Sequence, residues 1–150
     1  MPDESSPKLE EKKEETYAID TTSDPIQTVH KLKIGQKTLE YTATTGMMPI
    51  KSPLGETEAG MFFMAYTAKS EKPRPLMFSF NGGPGSSSVW LHLGAVGPKR
   101  TKMQPDGSLP PPPFQLLDNP DTWLSEVDLV FIDPVGTGYS RPTKKDGAEK

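Results

Sequence analysis

The chain contains no cysteine, which excludes a disulfide framework and a thiolate metal site. Histidine is scarce too. His30 and His92 are the only two and lie far apart, so a histidine-held zinc is not expected, nor is any other cofactor. Excess charge of one sign is also missing. A net charge of -3 over 150 residues gives neither nucleic acid nor an anionic membrane a field to bind. No apolar run approaches the ~20 residues of a membrane-spanning helix. The opening stretch MPDESSPKLEEKKEE lacks an apolar core segment and is rich in acid, so it does not read as a secretory signal. No glycine loop ends in Gly-Lys-Ser/Thr, which excludes a phosphate-binding P-loop.

What the chain does have is proline and glycine, 17 and 13 residues. The prolines fall mostly in the N-terminal arm, in the run Pro110–Pro113 and at the ends of apolar stretches. That distribution predicts a loop-rich globular region behind a solvated tail. Residues 1–16 form the tail: charged, nearly free of apolar side chains, and with like charges at helical spacing (Lys8 and Lys12, Glu10 and Glu14).

The stretch Pro75–Ser88, PLMFSFNGGPGSSS, organises the rest. Leu76, Met77, Phe78 and Phe80 predict a short strand buried on both faces, as in a parallel or mixed sheet. Asn81 ends it, and three glycines within four residues follow, broken by Pro84. Val89, Trp90, Leu91 and Leu93 then predict a short helix, ended by Gly94 and Gly97-Pro98. A glycine loop between a strand and a helix lets backbone N–H groups approach a ligand closely. The carboxyl end of a strand is where open α/β sheets bind their ligands.

Around that centre the sequence predicts further strands. Val29, Leu32 and Ile34 lead to a Gly35-Gln36 hairpin turn, and Leu39, Tyr41 and Ala43 alternate with polar residues beyond it. A polar loop is expected over Pro49–Ala59, then a strand over Met61–Thr67. Pro110–Pro113 predicts an extended polyproline II segment, read as a stiff connector rather than a docking peptide. Asn119 is expected to cap a helical start, with Pro120 at its first position. Asp128–Asp133, DLVFID, is the strongest strand signal, and a second glycine loop, Pro134–Ser140, follows it. Asp133 reads as a carboxylate that caps this loop.

Together, Asn81-Gly82-Gly83-Pro84-Gly85-Ser86-Ser87, the Gly97-Pro98 pair, Asn119 with Trp123, and Asp133–Ser140 resemble the serine carboxypeptidase family of the α/β-hydrolase fold. The resemblance runs from about Gln27 to Pro142. It implies an α/β-hydrolase domain with a mixed sheet, of which residues 17–150 would be the N-terminal part, and a peptide with a free C-terminus as substrate. It also implies that Gly83 supplies one backbone N–H of the oxyanion hole, and that Asn81 and Gly82 help hold the substrate carboxylate. Two positions depart from the family pattern. Ser86 stands where many members carry a disulfide cysteine. Ala95 stands where eukaryotic members carry a glutamate that shares a proton with the substrate carboxylate. The lack of cysteine and the form of the loop suit a bacterial-type member.

A hydrolase of this fold needs a serine on a Gly-x-Ser-x-Gly elbow, then an acid, then a histidine. No such elbow occurs in these residues. Ser86, Ser87 and Ser88 read as residues that cap and pack the helix start, and His30 and His92 as structural. The triad is therefore expected beyond Lys150, and the strand Leu129–Ile132 is expected to be left as an open apolar edge. An acyltransferase on the same fold, and a non-catalytic module using the glycine loop as an anion nest, remain alternatives at this point.

Overall fold

A computed structural model describes residues 16–82 and 85–144. The charged tail, apart from Thr16, lies outside the described residues, as do Gly83, Pro84 and residues 145–150. Three long strands run in sequence: β1 (Ile26–Ile34), β2 (Lys37–Lys51) and β3 (Thr57–Ala68). β1 and β2 form the expected hairpin, turning at Gly35-Gln36 with Ile34 opposite Lys37. β3 pairs antiparallel with β2 and with β7 (Asp128–Ile132). β7 in turn pairs in parallel with β4 (Leu76–Ser79). The sheet order is β1-β2-β3-β7-β4, and the two-residue β8 (Arg141–Pro142) also pairs with β3. The sheet is therefore mixed, as the sequence implies.

Between β4 and β7 the chain makes a helical turn, α1 (Val89–Leu91), that continues as a π-helical turn over His92–Val96. A small hairpin of β5 (Lys99–Thr101) and β6 (Leu116–Asp118) follows, then a 3-10 turn over Trp123–Ser125. Alternation in the strands sends one set of side chains toward these turns. Leu32, Tyr41, Tyr66, Leu129 and Phe131 form the core with Leu124 of the 3-10 turn, and Leu91 and Val96 pack against it.

Five expectations are corrected. The segment read as a loop over Pro49–Ala59 is mostly strand, and only residues 52–56 turn. Beyond Thr45, the last β2 residue paired with β1, β2 keeps β3 alone as its strand partner, so Pro49 can lack an N–H without breaking a ladder on both sides. β7 is not the open edge, because β3 and β4 flank it. β4, like β1 at the other end, is an outer strand among the described residues, and it is not buried on both faces: Met77 and Ser79 point inward while Leu76 and Phe78 are 57% and 58% exposed. The Pro110–Pro113 run bends at a cis Pro112–Pro113 peptide rather than extending. Finally, Asn119 does not cap a helix. Thr122 does, accepting from the Leu124 N–H at 3.2 Å.

One ion pair ties the loop before β4 to the start of β7. Arg74 Nε donates to Asp128 Oδ1 at 2.8 Å, and its Nη2 donates to the Leu124 carbonyl at 2.5 Å. Asp128 Oδ1 also accepts from the Ala68 N–H at 3.0 Å. Both side chains are mostly buried. A lysine would keep the charge but lose the planar fork. Arg74→Lys is expected to cost about 1–2 kcal/mol, read as a lower urea midpoint at unchanged slope.

Candidate active site

Loop geometry starts from the parallel pair. β4 and β7 run side by side, so their carboxyl ends lie at the same edge of the sheet, and each is followed by a glycine loop. Asn81, half-buried, and Gly82, exposed, come directly off the end of β4. Gly85 takes φ +86°, a conformation open to glycine and strained for other residues. Gly83 lies outside the described residues.

Asp133, at the end of β7, joins the two loops. Its Oδ1 accepts from both the N–H and the hydroxyl of Ser88, each at 3.0 Å. Its Oδ2 accepts from the Tyr139 N–H at 3.2 Å. The carboxylate is 6% exposed. Gly138, at φ +47°, lies so close that a Cβ there would overlap Oδ2 and press on Ser87. The sequence reading of Asp133 as a loop-capping carboxylate agrees with this contact set. Ser88 behaves differently from expectation: its hydroxyl does not cap α1 but turns to Asp133. Ser140, fully buried, completes the brace. It donates to the Asp133 carbonyl at 2.7 Å and accepts from the Phe62 N–H at 2.8 Å, pinning the second loop to β3. Sequence reading gave Ser140 no role. The only hint was a serine directly after a Gly-x-Gly-Tyr run that follows a strand.

Asn119 and Thr122 serve the same region from the other end of the π turn. Asn119 Nδ2 donates to the carbonyls of Ala95 and Gly97, both at 2.8 Å, and Thr122 Oγ1 donates to the Val96 carbonyl at 2.8 Å. These carbonyls close a helical end, where intrahelical partners run out. The Asn119 signal is thus a brace for the segment that leaves the first loop.

Beneath the loops, a cleft of about 470 Å³ is lined by Phe62, Met64, Ser88, His92, Phe131 and Tyr139. His92 stacks on Phe131 at 4.6 Å, and its Nε2 lies 2.5 Å from the Tyr66 hydroxyl. Burial lowers its pKa to about 4, against a smaller upward pull from Asp133. The same burial pushes the Tyr66 hydroxyl up. His92 is thus a neutral, packed residue, as its sequence position suggests. His30, on β1, stacks on Tyr41 at 5.4 Å, far from the loops in the sheet order.

A neutral buried histidine makes stability depend on pH. The unfolded chain binds a proton near 6.5 and the folded one only near 4, so the unfolded state holds more protons between these values. Stability should fall as pH drops through that window, by roughly 3 kcal/mol in all. Urea midpoints at pH 7, 5.5 and 4.5 test this. Wild type should lose more stability than His92→Gln across the series, and parallel losses would refute the assignment.

A model of the serine carboxypeptidase family matches residues 35–150. The chain belongs to the serine carboxypeptidase family. Among its relatives, serine carboxypeptidase-like 36 of Arabidopsis thaliana is 38% identical over 86 residues, covering 55% of this chain and 16% of the relative. The pheromone-processing carboxypeptidase KEX1 of Saccharomyces cerevisiae is 35% identical over 109 residues, covering 67% and 14%. The putative serine carboxypeptidase-like 30 of Arabidopsis thaliana is 34% identical over 108 residues, covering 71% and 20%. The matched stretch thus spans no more than a fifth of these relatives. Membership implies the α/β-hydrolase fold, with which the mixed sheet and few helices agree.

Proposed function

We propose that this chain is the oxyanion-loop portion of a serine carboxypeptidase that removes residues from peptide C-termini. In that reaction, a serine attacks the last peptide carbonyl and the C-terminal residue leaves as the amine. Water then hydrolyses the acyl-enzyme. Gly83 supplies a backbone N–H to the carbonyl oxygen as negative charge develops on it, and Asn81 and Gly82 hold the substrate carboxylate. The observation that carries this reading is the meeting of two glycine loops at the carboxyl ends of adjacent parallel strands in a chain of this family.

The nucleophile, the acid and the histidine come from outside these 150 residues. The absence of a Gly-x-Ser-x-Gly elbow supports that, as does the engagement of Ser88 with Asp133 and of His92 with Tyr66. The outer edge of β4, with Leu76 and Phe78 exposed, suits the addition of a further strand from the rest of the protein. Acyl transfer to an alcohol would use the same loops.

Two assays test the reading. The complete protein should release the C-terminal residue from an N-blocked dipeptide and act far more weakly on the corresponding C-terminal amide. Equal rates on both would remove the carboxylate role of Asn81 and Gly82. The 150-residue chain alone should show no hydrolysis of an ester or a blocked dipeptide. Activity there, abolished by Ser86→Ala, Ser87→Ala or Ser88→Ala, would overturn the assignment of the triad.

A further inference from the structure

We infer that Asp133 is the positioning residue of this site: its carboxylate locks the two glycine loops into one unit, so that the first loop's N–H donors keep their aim during reaction. The inference rests on the carboxypeptidase reading for its catalytic consequence, while the locking itself rests on geometry alone.

The geometry is specific. One carboxylate oxygen holds the foot of the first loop by two bonds to Ser88, and the other holds the second loop at Tyr139. The carboxylate is anchored in turn, because its own residue continues β7. The Asp133 N–H donates to the Phe62 carbonyl at 3.1 Å, and the Asp133 carbonyl accepts from Ser140. Gly138 gives the carboxylate its place, because a Cβ there would overlap Oδ2. A charged acceptor with three donors converging on it, at 6% exposure, makes stronger bonds than a neutral group would. A neutral cap at a loop end could satisfy either loop. Only a group with acceptors on both sides satisfies both, which is why the isosteric asparagine is the informative change. Its amide nitrogen cannot accept, so the link between the loops is cut and each loses the brace of the other, while shape and volume are kept.

Small displacements matter at such a site. A misplacement of about 1 Å in a catalytic group can cost on the order of 100-fold in rate. In the complete protein, Asp133→Asn is therefore expected to lower kcat about 10-fold to 100-fold, measured per active serine counted with a phosphorylating reagent such as diisopropyl fluorophosphate. The loss should be the same on a free-acid substrate and its ester, with KM for the free acid changed much less than kcat. A merely structural role would instead lower thermal stability and the number of countable sites, leaving kcat per site unchanged, and that result overturns the inference. If Asp133→Asn does not fold, Ser88→Ala decides. It removes one of the two bonds at the first loop and should lower kcat per site by a few fold, and an unchanged kcat counts against the inference.

Hydrogen exchange separates this inference from the reading it rests on. In Asp133→Asn, amides of residues 85–92 and 135–140 should exchange faster together while β2 and β3 do not. Faster exchange in one loop alone refutes the coupling. If the complete wild-type protein hydrolyses no peptide or ester, the carboxypeptidase reading fails, and the exchange result still decides whether Asp133 couples the loops.

Discussion

Phe131→Ala is expected to destabilise the protein by about 3–5 kcal/mol, the range for removing a large buried aromatic from a core. Phe131 is 1% exposed and sits where β7 meets the turns above the sheet. It stacks on His92 and meets Tyr66 edge-on at 6.1 Å. Truncation would therefore open a cavity between the sheet and the π turn and remove the ring that holds His92 in its neutral, packed state. A single domain has only about 5–15 kcal/mol of stability in total. The variant should unfold at a far lower urea concentration. Its acid sensitivity should shrink too, since a loosened His92 regains water and a more ordinary pKa. A loss of no more than about 0.5 kcal/mol, the size typical of surface changes, would show that Phe131 is not central to the core.

The strands were legible wherever alternation and burial agree. Leu39, Tyr41 and Ala43 alternate in the sequence, and in the fold Tyr41 is buried with the other two packed beside it. The hairpin turn at Gly35-Gln36 needed only local information. Pro49 misled because a proline argues against a strand unless one side of that strand lacks a ladder, and the extent of β1 decides that. Asn119 misled for a related reason. Its side chain can cap a helix or bind carbonyls, and the carbonyls it binds, Ala95 and Gly97, are 24 and 22 residues away. The apolar character of β4 was plain, but burial depends on what lies beside a strand, which the strand's own residues do not encode. At the site, the two glycine loops and Asp133 could be read because glycine and a strand-ending acid are local signals. The Ser88 and Ser140 bonds could not, since serine hydroxyls serve as caps, packers or bridges with equal ease.

Gly83→Pro in the complete protein should have the largest effect on chemistry. Proline has no N–H, so the substitution deletes the proposed oxyanion donor without adding charge. Loss of one such donor costs on the order of 100-fold to 1,000-fold in kcat. The comparison variant is Gly83→Ala, which keeps the N–H, and Gly94→Ala serves as a folding control because a Cβ there meets open space. The donor role predicts that kcat falls far more in Gly83→Pro than in Gly83→Ala, with substrate KM moving little, because the bond strengthens as charge develops and not before. Equal losses in the two variants would mean that the loop needs glycine for its shape and that the N–H at this position stabilises nothing. A loss confined to KM would assign Gly83 to holding the substrate, beside Asn81 and Gly82, and leave the oxyanion donor to be sought at another amide.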